Sequence, residues 1–335
     1  MIDWTLPYSS EWRLYRVEES TWADGGIAGR LVSASVERDS SGEAPELESG
    51  EIEVLGGFEP GYMRLVLVAT QGGTAERADI ATLLFEKAEE GLTSTRAVGS
   101  SVLHPAATEC ILAGEFVPKG ADGAEEAARL LRKSVRAPVD TAGSFVLNDD
   151  YVFTPGQSVL ECVWALLGAG GFCIQIGGDG TILVMPVPSE PSASIPDAGM
   201  LSSKPSASDR SIDAPNRFTA VLEGASATAA NVSDGPSSHD ARGYWVDERD
   251  ESPALVNGES LQGYAERRLR ELSVYKRSFS YSRAWMPGVL PFTLLSVSEA
   301  VFGASELRVE RQTLEVGTGI SVSEESVEEV RTWTE

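Results

Sequence analysis

Along the first hundred residues apolar and polar side chains alternate with a period of two, the signature of strands with one face buried. WRLYRVE (residues 12–18) alternates throughout. GRLVSASVERD (29–39) sets Leu31, Ala34 and Val36 against serine and charge, and GEIEVLG (50–56) alternates acids with Ile52 and Val54. YMRLVLVAT (62–70) is dense in β-branched and apolar residues. Between these runs ADGG (23–26), DSSGEAPE (39–46) and GGFEPG (56–61) carry turn residues. ADIATLLFEKAEEG (78–91) has propensities that also allow a helix, but its place before STRAVGSSV reads as a strand in a meander. Short strands with this punctuation predict a sandwich or a barrel.

From about Pro105 the period changes to 3.6. DGAEEAARLLRKSV (122–135) places Ala127, Leu130, Leu131 and Val135 at helical spacing, with acids first and bases last as the helix dipole favours. In FTPGQSVLECVWALLGAGG, Thr154 reads as a cap, Pro155 as the first turn and Gln157 as the end of a T-x-x-Q capping box. Val159, Val163, Leu166 and Leu167 form its apolar face, and Gly168 fits the residue just past its end. The glycines of GAGGFCIQIGGDGTILVM (168–185) invite a phosphate-loop reading. The order is wrong for it, because a dinucleotide fingerprint runs strand, turn, helix, and here a helix precedes two strands. FCIQI and TILVMPV therefore form a hairpin, with Gly178-Asp179-Gly180 predicted as a type I′ turn.

Residues 189–215, rich in Ser, Pro and Ala, read as an extended linker. NRFTAVLEG (216–224) opens a second β-region, followed by a polar, acidic excursion over 225–258 read as a long hairpin or loop. Ser260 then caps a helix with Leu261, Tyr264, Ala265, Leu269 and Leu272 on one stripe, and the remainder reads as a β-meander. The fold class is α+β, mainly β, with about two or three domains in 335 residues. No internal repeat is present.

Charge narrows the partners. The 27 basic and 51 acidic residues leave a formal charge of −24, which argues against binding along nucleic acid or an anionic membrane. Cys110, Cys162 and Cys173 lack metal or disulfide spacing and read as reduced thiols. The N-terminus has no basic and apolar signal pattern, and no apolar window is long enough to span a bilayer.

Candidate chemistry is sparse. His104 precedes Pro105 and reads as a strand-end or loop residue. Ser238, His239 and Asp240 are consecutive, whereas a triad needs residues that converge from separate segments, so a solvated loop is expected. Asp149 and Asp150 are neighbours on a loop and point apart, unlike a glycosidase pair. Asp39, Glu43, Glu46 and Glu48 could hold Ca²⁺ but lack EF-hand spacing. Seven tryptophans are scattered and read mainly as core. No catalytic, cofactor-binding or metal residues are assigned, no cofactor is expected, and the chain reads as no enzyme.

The succession of these segments resembles the phage baseplate-hub and tail-tip hub proteins, including the hub region at the start of tail-associated lysins. The opening WRLYRVEESTWADGGIAGRLVSASVERDSSGEAPELESGEIEV resembles the family's N-terminal barrel, with its S-x-x-R-D strand, loop and E-S-G-x-I-x-V strand. TPGQSVLECVWALLGAGGFCIQIGGDGTILVMPVPSEP looks like the family's helix, hairpin and proline-rich exit, and APNRFTAVLEG with SLQGYAERRLRELS completes the order. Longer members continue into a peptidase or lysozyme domain. With the sequence ending near Glu335, a hub without that enzyme is expected.

The resemblance implies two tail-tube-like β-barrel domains (1–104 and 209–335) with an intervening small α/β domain (105–208). It further implies a homotrimer forming a pseudo-sixfold ring between a hexameric tail tube and a three-fold tip or spike. The implied partners are further copies of the chain, the tail tube or distal tail protein, and the tip or spike protein. DNA would pass without specific binding, no membrane segment is involved, and the location is the virion, after synthesis in the host cytoplasm. A carbohydrate- or receptor-binding β-protein of the tail tip is the alternative, and a hydrolase using His239 with a carboxylate a third.

Overall fold

The computed structural model describes residues 2–42, 45–112, 114–202, 205–209, 213–222, 224–251, 253, 260–317 and 320–331. By compactness the chain divides into two units. The first comprises Met1–Pro205 with Tyr281–Glu325, and the second Ser206–Ser280 with Ser326–Glu335. The protein is mainly β.

The first unit opens with six antiparallel strands: β1 (Ser9–Glu18), β2 (Ala23–Asp39), β3 (Glu48–Leu55), β4 (Gly61–Gln71), β5 (Thr74–Glu90) and β6 (Ser94–Ser100). Their pairing runs β1-β4-β5-β6-β3-β2, and β1 pairs again with β2, so the hydrogen-bonded order closes on itself. Inward-facing residues such as Leu14, Val36, Ile52, Val54, Leu65, Leu67 and Phe85 fill one core. The 78–91 segment is strand, as its position in the meander predicts: Leu84 to Glu90 pair with β6 across a bulge.

The first turn differs from expectation. ADGG does not turn, because β2 already begins at Ala23. The chain reverses one step earlier, at Trp22, which adopts φ 57°. Its indole N–H donates to Asp179 O at 2.8 Å and its ring meets Tyr62 edge-on, and these contacts hold a conformation that a bulky residue otherwise avoids.

A second core follows, built from α1 (His104–Thr108), β7 (Phe116–Val117), α2 (Gly123–Ser134), β8 (Val139–Thr141), β9 (Tyr151–Val152), α3 (Val159–Gly170), β10 (Phe172–Ile176) and β11 (Ile182–Pro186). His104 begins a short helix instead of ending a strand; Pro105 suits that first turn because its missing N–H would be unpaired there anyway. α2 carries the predicted stripe, and Asp122 caps it by accepting from Ala124 N and Glu125 N. α3 starts later than T-x-x-Q implies. Gly156 takes φ 92°, which no helix contains, so residues 154–157 form a turn in which Thr154 N donates to Gln157 Oε1. The box that caps the helix is S-x-x-E: Ser158 Oγ accepts from Glu161 N, and Glu161 accepts from Ser158 N. Gly168 lies within the helix, and Gly171, at φ 67°, ends it.

β10 and β11 form the expected hairpin, with β8 added parallel to β11. The turn is not type I′. Neither Gly178 nor Asp179 has positive φ; Gly180 alone does, at 80°. Asp179 turns its carboxylate back onto Thr181 N and Oγ1, and Gly180 N donates to Gly177 O, giving a type I turn closed by a left-handed glycine.

The predicted linker is partly strand. β12 (Ala193–Ser194) lies parallel to β18 (Leu294–Ser296), and β13 (Ser206–Asp209), in the second unit, pairs with β17 (Val274–Ala284). The second unit holds β14 (Arg217–Leu222), β15 (Ala225–Ala230), α4 (His239–Arg242), β16 (Asp247–Asp250) and α5 (Leu261–Leu272). β15 and β16 flank β14, antiparallel and parallel respectively. Ser260 caps α5 by accepting from Gly263 N, and the helix packs Tyr264, Ala265 and Leu269 on Phe218 and Ala220. The last eight residues of the excursion, 251–258, lie largely outside the described residues.

Back in the first unit, SEAVF forms the short helix α6 (Glu299–Phe302) between β18 and β19 (Glu306–Val316), ended by Gly303 at φ 68°. β19 pairs with the second half of β2, Val316 opposite Ala34 and Arg311 opposite Asp39. β20 (Ile320–Arg331) is the last strand among the described residues. In the first-unit part of β20 and β17, Glu324 accepts from Arg283, Gln312 and Tyr281, all buried.

Candidate functional site

β2 is long because, besides β3, it serves two partners in succession. Its first half pairs with β1 as far as Gly29 opposite Leu14, and its second half pairs with β19 from Ala34 onward. Where the partner changes, a groove of about 580 Å³ opens, lined by Trp12, Arg13, Ile27, Arg30, Val32 and Val316 among others. Ile27 and Val32 are exposed although they lie within a strand. Trp12 lines this groove, and its indole N–H is buried with no acceptor. Arg13 is held by Glu11 at 2.8 Å, whereas Arg30 has no ion-pair partner among the described residues.

The β5–β6 hairpin ends in a second exposed feature. Gly91 N donates to Ser94 O to close the tip, and Leu92 there is 106% exposed. The strand leading to it carries EKAEE (86–90), with Glu86 and Glu89 on the surface.

The Gly-rich hairpin has a positional role. Its tip lies against β5, so that a Cβ at Gly178 would overlap the Asp79 carbonyl oxygen, and one at Gly180 would meet Thr82. Thr82 Oγ1 donates to Gly178 O at 2.9 Å. Arg64, buried, donates to Asp179 O at 2.9 Å and to Asp24 Oδ1 at 2.7 Å. The glycines thus let one backbone touch another.

Most of the residues weighed as chemistry sit in separate pairings, although His239 Nδ1 lies 3.5 Å from its neighbour Asp240 Oδ1. His104 Nδ1 lies 2.8 Å from Glu46 Oε1. Ser238 caps α4 by accepting from Ala241 N and donates to Gly235 O, so its hydroxyl is turned away from any base. His239 stacks on Trp245 at 4.2 Å, and Arg217 covers the same ring at 4.9 Å. Asp150 accepts from Lys119 N, and Asp149 stays on the surface. Asp39 pairs with Arg311 at 3.0 Å and Glu48 with Arg38 at 2.8 Å, while Glu43 lies outside the described residues. Burial raises the Glu48 carboxyl above its usual range against the pull of Arg38. Among the described residues no His, Cys, Asp and Glu grouping is arranged to hold a metal. Cys110 is exposed; burial pushes the Cys173 thiol up to about 12. Trp4 and Trp285 meet edge-on in the core, and no described helix is long and apolar enough to cross a membrane.

No protein-family model and no curated protein matches the chain. Solved structures do. The tail protein from Neisseria meningitidis MC58 superposes with a TM-score of 0.62 at 13% identity, over 96% of this chain and 97% of that one. The 43 kDa tail protein of prophage MuSo2 from Shewanella oneidensis gives 0.62 at 12%, over 97% and 99%. A prophage tail protein from Listeria monocytogenes EGD-e gives 0.50 at 9%, over 96% and 95%. At such identities the likeness is one of fold. The chain has the fold of phage tail proteins, and the resemblance drawn from the order of its sequence motifs holds at that level.

Proposed function

We propose that this protein is a structural hub of a phage tail or related injection particle. Three copies form a ring in which two barrel-like domains per chain, residues 1–104 and 209–335, make a pseudo-sixfold collar around a DNA passage. The small α/β domain, 105–208, sits outside or below the ring. The ring joins a hexameric tube to a three-fold tip, and the protein acts as a part of the virion instead of as a catalyst.

The observation that carries this reading is the fold likeness to two tail proteins, which runs nearly end to end in both directions. The closed pairing order of β1 to β6 supports a tube-wall element. The acid surplus suits a passage for DNA, since like charge prevents adhesion. Native mass spectrometry and electron microscopy of the purified chain test it. The expected species has three times the 35.7 kDa chain mass and appears as three-fold rings. A chain that stays monomeric at high concentration and binds neither tube nor tip proteins overturns it.

A further inference from the structure

The pairing order of the opening strands is repeated later in the chain. β2 pairs with β3, β3 with β6, β6 with β5 and β5 with β4. In the same succession β13 pairs with β17, β17 with β20, β20 with β19 and β19 with β18. Chain order corresponds as well, with β14, β15, β16, α4 and α5 inserted where the first set has only the loop from β2 to β3. β13 begins at Ser206, and its pairing with β17 moves the start of the proposed second domain from 209 to that residue. Within one chain the two sets meet at a single kind of seam. β19 gives one stretch, Glu306 to Arg308, to β18 and the next, Arg311 to Val316, to β2.

We infer that the same seam, with the roles exchanged, joins one copy to the next: β13 of one copy pairs with the end of β5 in its neighbour. This rests on the ring proposed above and names its joint, which lies between a second domain and the next copy's first domain, as pseudo-sixfold order requires. β5 stands where β19 does. It gives Thr74 to Phe85 to β4, and on that edge Glu86 to Glu90 meet no strand among the described residues. β13 stands where β2 does and, among the described residues, pairs on one edge only, with β17. Both edges are open in the single chain, and adding a strand from another chain is how such edges are filled. β2 and β19 run antiparallel, and so do β13 and β5 across the joint. One such contact per copy, repeated by rotation, closes the ring. Charge selects the occupant. The open stretch of β5 is EKAEE, with Glu86 and Glu89 exposed, so like charge opposes a second β5 there. Ser206, Ala207 and Ser208 of β13 are exposed, small and uncharged, and bring neither bulk nor repulsion. Native edges are guarded by charge or proline, and these three residues carry neither.

The test uses the full chain on a Cys110→Ser background, which removes the exposed native thiol. Ser208→Cys is combined in turn with Glu86→Cys, Ala88→Cys and Glu89→Cys, which sample both faces of β5, and each double variant is treated with a short bis-maleimide. The expected products on a denaturing gel are covalent dimers and trimers from at least one double variant, and none from any single variant. Linkage by Ser208→Cys alone means that two β13 edges meet across a two-fold axis, and it overturns the joint. Native mass spectrometry reads a second arm. Ser208→Glu is expected to weaken trimer association at least tenfold, because every joint then sets acid against acid, whereas Ser208→Lys leaves it unchanged or tighter. Circular dichroism checks that each variant folds. Wild-type trimers, with no linkage in any double variant and equal effects of Glu and Lys at position 208, overturn the joint while the hub reading stands. A wild-type chain that is monomeric throughout overturns both.

Discussion

Gly168 and Gly178 belong to one glycine-rich stretch, yet their surroundings differ. Gly168 sits inside α3 with nothing within 4 Å of where a Cβ would be, whereas Gly178 lies against the backbone of β5. A helix-interior glycine forgoes about 0.5–1 kcal/mol relative to alanine. Gly168→Ala is therefore expected to raise stability by that amount. Gly178→Ala is expected to lower it by about 1–3 kcal/mol, the usual cost of overpacking, because the Asp79 carbonyl cannot swing aside as a flexible side chain would. Urea unfolding of both variants checks this, and equal effects from the two would show that the hairpin tip does not bear on β5. The sequence distinguishes these glycines only by order: a helix before the strand rules out the phosphate loop but does not say what the tip touches.

At the scale of elements, period and capping chemistry carry most of what the sequence reveals. The stripe on α5, from Leu261 to Leu272, is legible because 3.6-residue spacing reports a face directly. The start of α3 is harder to place because two consecutive boxes, T-x-x-Q and S-x-x-E, both satisfy the capping pattern. Gly156 decides between them through its backbone angle. Ser158→Ala is accordingly expected to cost about 1 kcal/mol. Thr154→Ala should stay within about 0.5 kcal/mol, the range of surface changes that break no cap. Denaturation midpoints of the two variants separate these outcomes. The groove is not legible. Period two assigns each residue of β2 to a face but does not name its neighbour, and nothing near Ile27 announces that β1 gives way to β19 there. Trp12, Arg30 and Val316 meet only once the strands are ordered.

For the molecule as a whole, charge is the property read most simply. Proteins that bind DNA neutralise phosphates with clustered bases, and their affinity falls steeply with salt. With 51 acidic residues against 27 basic, this chain is expected to leave duplex DNA unretarded in gel shifts from about 50 to 200 mM salt. A salt-sensitive shift would contradict a surface suited to letting DNA slide past. The partner change along β2 also bears on how the protein is born. The six strands of the closed order all end by Ser100, but β19 begins only at Glu306. On the ribosome the edge of β2 from Ala34 to Asp39 must wait for roughly 200 more residues, or some 10 to 40 seconds at ordinary elongation rates. An open strand edge is an invitation to wrong pairing for all that time. Glu37 and Asp39 stand along it, so nascent chains on one message carry charged sentries at the place where they could most easily stick together.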